Sequence, residues 1–388
     1  MLKNAWDKFK ANLSGFRSDN ASKPQSARSK GKGSSAGSGT TSGCVAASGR
    51  SGVDGAEEPS GSGSGSGGEG GGMAGAAANG NLPQSPYQAR NRGFEGLDWE
   101  REGQWRGPFC FIQAADTQLG MIDSFHNKQH ATNPSWAREL ELTRQAVRMV
   151  NNLTPRPRFF VVCGDLVDAM PGVPFKAAQI RDYKAAFSGL HPSIRLVCVC
   201  GNHDVGDIPT PDSIEAYRSD FGDEYFSFWV GGCKFIVLNS QLYHDSSKVP
   251  QYKRDQDSWL EQELGSDPGR PWRHLIGLQH IPPFVAHPDE APVDVPGNSL
   301  INFNFRDHHI RRQFLDTIKK AGMRKLFCGH YHRNAGGWDG ELEVVVTSAV
   351  GCQLGKDTHG LRVVRVLPDQ VQHQYYALDH IPTSLELH

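Results

Sequence analysis

Across residues 109–367, short unbroken apolar runs alternate with longer stretches in which apolar and polar positions interleave. The runs lie at 109–115, 158–163, 194–200, 225–230, 234–239, 274–279, 324–328, 342–348 and 361–367. Apolar residues at consecutive positions predict strands covered on both faces, since a strand with one wet face would alternate. The interleaved stretches at 136–153, 175–190, 212–220, 254–264 and 307–321 predict helices. In the first of these, Trp136, Leu140, Val147 and Val150 form an apolar stripe, with Glu139, Glu141 and Arg144 off it. Strands and helices in alternation predict a layered α/β domain with helices outside the sheets. The stretch 282–306, rich in Pro, Asp and Asn, breaks the pattern and reads as a long loop, a candidate lid.

The pattern is absent before residue 105. Residues 18–92 are dominated by Ser, Gly, Ala and Asn and carry almost no large apolar side chains. Such a segment cannot offset the entropy of ordering, so it is predicted to be disordered. The expected organisation is a low-complexity Ser/Gly-rich tail over 1–104 and one globular domain over 105–382. Within the tail, Trp6, Phe9, Leu13 and Phe16 recur at helical spacing beside Lys3, Lys10 and Arg17. This predicts a short basic amphipathic helix over 2–17, suited to contact with a membrane or a partner. Gly63, Gly65 and Gly68 match a dinucleotide fingerprint literally, but they follow no strand and open no helix.

Charge and cysteine usage narrow the function classes. A net charge of -1 gives no footprint for nucleic-acid binding. There is no run of apolar residues long enough for a membrane-spanning helix, and the N-terminus lacks a secretory signal. The eight cysteines are scattered without a C-x-x-C pair, and several sit inside apolar runs as small hydrophobes. A reduced, cytoplasmic setting is expected. Nothing in the pattern specifies an oligomeric state.

Five predicted strands end in metal-competent side chains: Asp116; Asp165, followed by Asp168; Asn202, His203 and Asp204; His280; and His330 with His332. In α/β sheets, ligand sites form beyond the carboxyl ends of strands, so these five ends should converge. Carboxylates, an amide and several imidazoles exceed the needs of one four-coordinate zinc. They suit two metals with mixed nitrogen and oxygen ligands. A metal pair is a standard device for phosphate-ester hydrolysis, in which a water held between the ions becomes hydroxide and attacks phosphorus.

The stretches FFVVCGDLVDAMPG, GNHDVGDIPTP, EYFSFWVGGCKFIVLNSQ, QHIPPF, LFCGHYHRNAGG and AVGCQLGKDTHGLRVV resemble the calcineurin-like metallophosphoesterase superfamily. Within it they resemble the group of calcineurin-like phosphoesterase domain-containing proteins. The resemblance implies a four-layer αββα sandwich, two sheets face to face with helices outside. It implies two divalent metal ions, with Asp116, Asp165 and His332 at the first. Asp165 would be shared with the second, completed by Asn202, His280 and His330. His203 would protonate the leaving alkoxide, with Asp204 orienting its ring. Asp168 would steady the loop or the histidine, and Arg333 and Asn334 are candidates to contact substrate phosphate.

The implied activity is metal-dependent hydrolysis of phosphomonoesters, with phosphoserine or phosphothreonine proteins as the expected substrates. The alternatives are a phosphodiesterase or small-metabolite phosphatase with the same ligands, and a non-catalytic scaffold on the same fold. Ala169 follows Asp168, and Asp204 stands where the best-known serine/threonine phosphatases carry Glu, which places the chain outside that branch. Gln118 occupies the place of a histidine in the superfamily pattern D-x-H. As an amide contacting metal or a metal-held water, it would weaken the first site and favour Mn or Mg over Fe or Zn.

Overall fold

The computed structural model describes residues 88–126, 133–265 and 267–388. The helix expected at 2–17 lies outside the described residues. In chain order the strands are β1 (Ala89–Arg90), β2 (Gly93–Phe94), β3 (Phe109–Ala114), β4 (Phe159–Cys163), β5 (Arg195–Val199), β6 (Phe226–Val230), β7 (Cys233–Val237), β8 (Leu275–Leu278), β9 (Asp294–Val295), β10 (Asn298–Asn302), β11 (Lys325–Cys328), β12 (Ala335–Asp339), β13 (Leu342–Val346), β14 (Gly360–Val366) and β15 (Val371–Ala377). The helices are α1 (Trp99–Glu102), α2 (Met121–His126), α3 (Ala137–Asn151), α4 (Lys176–Phe187), α5 (Asn202–Val205), α6 (Pro211–Phe221), α7 (Gln241–His244), α8 (Pro250–Leu264) and α9 (His308–Lys320).

Two sheets carry the fold. One has strand order β15-β14-β3-β4-β5, the other β12-β13-β11-β8-β7-β6. Strands β3, β4 and β5 run parallel, as do β7, β8, β11 and β13. Antiparallel strands close the edges: β14 and β15 on one sheet, β6 and β12 on the other.

The apolar runs explain the layering. In β4, Phe159, Val161 and Cys163 pack between the sheets, while Phe160 and Val162 pack under α3, α4 and α6. In β11, Phe327 faces the inter-sheet core and Leu326 and Cys328 face the helices α8 and α9. A strand buried on both faces needs apolar residues at every position. The result is the expected αββα arrangement.

Several elements differ from the expectation. β15, an edge strand, reads VQHQYYA and is only partly buried, and β12 is partly exposed with two glycines. Neither makes a continuous apolar run. The buried face of α3 is Glu139, Leu142, Thr143, Ala146, Val147 and Val150, so Glu139 lies on the stripe rather than off it. Residues 88–104, grouped with the tail by composition, form β1, β2 and α1. Phe94 and Leu97 are buried in the inter-sheet core. Glu102 accepts from Gly231 N–H at 2.9 Å and pairs with Arg158 at 2.5 Å.

The stretch 282–306 is not a free lid. The Glu290 carboxylate accepts from the N–H groups of Val285, Ala286 and His287 and from Asn304 Nδ2. Arg311, buried in α9, donates to the carbonyls of Pro288, Glu290 and Phe305. These bonds make the segment a fixed wall beside the strand ends. Among the described residues, no helix is long and apolar enough to cross a membrane.

Candidate metal centre

Parallel strands share one polarity, so the carboxyl ends of β3, β4, β5, β8 and β11 all deliver their following residues to one edge. The first sheet supplies Asp116, Asp165 and Asn202; the second supplies His280, His330 and His332. Within each sheet the ligand loops are tied to one another: Asp116 N–H donates to Gly164 O at 3.1 Å, Gln118 N–H to Asp165 O at 2.9 Å and Gly329 N–H to His280 O at 3.0 Å. The Asp116 carboxylate accepts from His330 N–H at 3.0 Å, across the sheets.

The loops are bent tightly. Asp116, Gln118, Asp165, His330 and His332 all have positive φ, at 51°, 34°, 51°, 70° and 52°. Such conformations cost a non-glycine residue of order 1–3 kcal/mol and persist only where the surroundings enforce them. Gly164 shows how close the packing is. Its φ is +84°, and a Cβ there would lie 2.3 Å from the His280 ring. A Cβ on Gly201 would lie 2.1 Å from Asp165 Oδ1.

Two overlapping groups result: Asp165 with His280 and His330, and Asp116, Asp165 and His332. In each, the ligand atoms lie within 4.8 Å of one another, and every residue is buried. Asn202 Oδ1 lies 3.1 Å from His280 Nε2, which places it with the first group. Asp165 belongs to both.

The donor set suits cations. Asp116 and Asp165 are 0% and 2% exposed, and among the described residues neither pairs with a lysine or arginine. Their partners are imidazoles, His280 at 3.3 Å from Asp165 and His332 at 3.2 Å from Asp116, and two buried carboxylates so placed are costly unless positive charge joins them. The imidazoles are presented in one tautomer each. His280 Nδ1 faces Cys163 O at 2.8 Å, His330 Nε2 faces Asn302 O at 3.0 Å, and His332 Nδ1 bonds Cys352 O. A carbonyl only accepts, so these nitrogens carry the protons. That leaves His280 Nε2 and His330 Nδ1 as lone pairs facing each other at 3.1 Å. Lone pairs so placed call for a cation or an extra proton between them. Burial opposes charge on His280, but Asp165 and Asp116 push its pKa up to about 9, whereas burial and His280 hold His330 well below its ordinary range. The site therefore favours added positive charge. Burial pushes the adjacent Cys163 thiol up to about 12, which keeps it protonated and out of the ligand set.

Gln118 fits the same picture. It is 1% exposed; Nε2 donates to Asp168 Oδ1 at 3.2 Å, and Oε1 has no hydrogen-bond partner among the described residues. An unsatisfied buried acceptor costs about 1–3 kcal/mol, a cost removed by a water or cation. Replacing Gln118 with histidine is expected to tighten metal binding at the Asp116 side and shift preference toward zinc, read by calorimetric titration with Mn and Zn. Unchanged affinity and preference would place Gln118 away from the metal.

His203 is set apart from the ligands. Its side chain is 27% exposed, against 0% for His280 and 3% for His332. Its Nδ1 bonds Asp168 O at 2.5 Å, with Asp168 Oδ1 3.7 Å away, and its N–H donates to Asp165 Oδ1 at 2.9 Å. Burial opposes charge on the ring, but Asp165 and Asp168 raise its pKa above the ordinary value.

Asp204 does not orient His203, as expected from the motif. Its carboxylate accepts from Gly201 N–H at 2.7 Å and Leu166 N–H at 3.2 Å, tying the β5 exit to the β4 exit. Asp168 is the residue beside the His203 ring. Arg333 and Asn334, expected to contact substrate phosphate, are tied to neighbouring loops. Arg333 Nη2 donates to Leu354 O at 2.5 Å and its guanidinium lies 4.6 Å over the Tyr331 ring. Asn334 Oδ1 accepts from Arg362 Nη2 at 2.8 Å and its N–H meets Asp357. None of these contacts is with a ligand residue.

Two supports were not singled out from the sequence, although Asp207 lies within GNHDVGDIPTP. Glu139 accepts from the N–H groups of Gly120 at 3.2 Å and Ile122 at 2.7 Å, bracing the loop after Asp116. Asp207 accepts from Asn202 Nδ2 at 2.8 Å. A carboxylate on a helix stripe, as at Glu139, is the kind of sequence signal that marks such a brace.

Comparison with known proteins places the chain in a family. The family model for calcineurin-like phosphoesterases matches residues 111–334. The chain is 46% identical over 295 residues to Serine/threonine-protein phosphatase CPPED1 of Danio rerio, covering 76% of this chain and 93% of that protein. It is 43% identical over 310 residues to the Homo sapiens protein of the same name, covering 80% and 95%. Among solved structures, the purple acid phosphatase PPD1 from yellow lupin (Lupinus luteus) seeds shares the fold, with a TM-score of 0.50 at 12% identity, covering 72% of this chain and 53% of that one. On these matches and on the convergence of its strand ends, the chain belongs to the calcineurin-like phosphoesterase family.

Proposed function

We propose that the protein is a dimetal phosphatase that removes phosphate from phosphoserine and phosphothreonine in proteins. The observation that carries this reading is the pair of overlapping ligand groups sharing Asp165, buried at the carboxyl edge of both sheets. Asp116, Asp165 and His332 would hold one cation; Asp165, Asn202, His280 and His330 would hold the other. Two cations there supply an acidified water as nucleophile and positive charge against the phosphate oxygens. Mn or Mg is the favoured pair, since Gln118 offers an amide oxygen in place of an imidazole.

The chain's own groups account for the rest. The imidazole nitrogens are locked by the Cys163, Asn302 and Cys352 carbonyls, which orients the ligands before substrate arrives. His203, partly exposed beside the buried cluster and tethered through Nδ1, presents Nε2 to donate a proton to the departing alkoxide. Asp204 and Glu139 hold the loops rather than the reacting atoms. A cytoplasmic setting fits the seven described cysteines, all free and buried.

The preference for phosphoproteins rests on the names of the CPPED1 relatives; the ligand set serves monoesters and diesters alike. The test is a substrate panel on the purified full-length chain with Mn or Mg: phosphoserine and phosphothreonine peptides, nucleotides and cyclic nucleotides. Metal-dependent release of phosphate, fastest from the peptides, is expected. Faster hydrolysis of a cyclic nucleotide would replace this reading with a phosphodiesterase. Metal binding without turnover of any substrate would leave a scaffold.

A further inference from the structure

Asn202 differs from its neighbours in the centre. A carboxylate offers oxygen at either end, but an amide has opposite ends, and only its oxygen binds a cation. Which end faces inward is decided here by Asp207. Asn202 Nδ2 donates to Asp207 Oδ1 at 2.8 Å, while Asn202 Oδ1 lies 3.1 Å from His280 Nε2. An ionised carboxylate accepts and cannot donate, so it holds the NH2 end outward and turns the oxygen toward the ligands.

Asp207 is buried, at 7% exposure, and its second oxygen accepts from Asn298 Nδ2 at 2.9 Å. Asn298 opens β10, and Asn302 at the end of that strand accepts from His330 Nε2 through its carbonyl at 3.0 Å. The β9–β10 hairpin thus touches the same ligand group twice, at Asn202 through Asp207 and at His330 directly.

We propose that Asp207 is a positioning residue that keeps the Asn202 oxygen turned toward the cation shared with His280 and His330. The inference rests on the dimetal reading of the site. It acts through orientation rather than by pinning the hairpin, so the two bonds of Asp207 have different consequences. Asp207→Asn keeps the shape but presents either amide end to Asn202, which is then free to turn. Asn298→Ala cuts the hairpin link and leaves the Asn202 bond intact.

The test is titration of the full chain with Mn(II), followed by calorimetry and by the electron paramagnetic resonance of unbound Mn(II). In the unaltered chain two ions are expected to bind. Asp207→Asn should weaken one of them about tenfold, within the range seen when an outer partner of a metal ligand is lost. Asn298→Ala should leave both affinities within about twofold while lowering the melting temperature. The combined Asn202→Asp, Asp207→Asn variant should regain the lost affinity, because an aspartate at 202 presents oxygen either way. This rescue separates orientation from folding, since the double variant still lacks the Asp207 carboxylate. Wild-type affinity in Asp207→Asn, an equal loss in Asn298→Ala, or no recovery in the double variant would overturn the inference and leave the dimetal reading standing. Failure of the unaltered chain to bind Mn(II) would overturn both.

Discussion

Asp165→Asn is expected to abolish metal-dependent turnover and to weaken binding of both cations by roughly a hundredfold or more, beyond the loss typical of an outer partner. Asp165 is the one residue common to both ligand groups, and it is 2% exposed. The amide keeps the volume and removes the charge that both ions share. Burial alone would raise the Asp165 pKa, but His280, His203 and His330 hold it below the ordinary carboxylate range. Binding only the folded state, the ions raise the melting temperature of the unaltered chain by mass action. That rise should vanish in Asp165→Asn. Without metal, the variant should melt below the unaltered chain at neutral pH, because a carboxylate whose pKa is lowered by folding stabilises the fold and its loss leaves His280 without its partner at 3.3 Å. An undiminished metal-induced rise would show that the cations bind elsewhere.

His203→Ala is expected to lower turnover about 10²–10⁴-fold while leaving both metal affinities intact, the usual contribution of a positioned acid. The separation follows from the geometry. His203 reaches solvent where the ligand histidines do not, and its Nδ1 is committed to Asp168. The remaining nitrogen can serve substrate without serving the metals. The loss should depend on the leaving group. A serine alkoxide is a poor leaving group and needs the proton, whereas a nitrophenolate leaves readily without it. Parallel assays of a phosphoserine peptide and nitrophenyl phosphate check this, with the larger loss expected on the peptide. Full peptide turnover in the variant would remove His203 from the reaction. Equal losses on both substrates would assign it to binding phosphate instead.

The strand ends that carry chemistry were legible because they break an otherwise simple pattern. β4 reads FFVVC and then Gly164-Asp165, and β11 reads KLFC and then Gly329-His330. A polar, metal-competent residue directly after a fully buried strand has no core to fill. The parallel order of such strands brings the polar ends together without further information. Edge elements were less legible. β15 and β12 satisfy only half the burial of a central strand, and β1, β2 and α1 are too short for periodicity to register.

Roles within the site were less legible still. Two carboxylates come from the strand-end motifs that flank His203 in space, the adjacent Asp204 and Asp168, 35 residues earlier in the chain. The motif favours the adjacent Asp204, but the structure puts Asp168 beside the ring and gives Asp204 to the Gly201 and Leu166 amides. Side-chain direction there depends on loops whose Asp116, Gln118, Asp165, His330 and His332 occupy the left-handed region, a conformation that residue identity does not announce.

By itself, then, the sequence determined the layers, the strand ends and the chemical kinds of ligand, because burial on two faces and metal affinity are properties of residue types. Only the tertiary structure decided which carboxylate serves which partner. It also decided that Glu139, far from any motif, and Asp207, whose motif neighbours give no sign of its partner, belong to the site. The physical reason is range. Hydrophobic burial is non-directional and leaves its mark at every position of a strand, whereas a hydrogen bond selects one atom at about 3 Å, and that choice exists only once the backbone has folded.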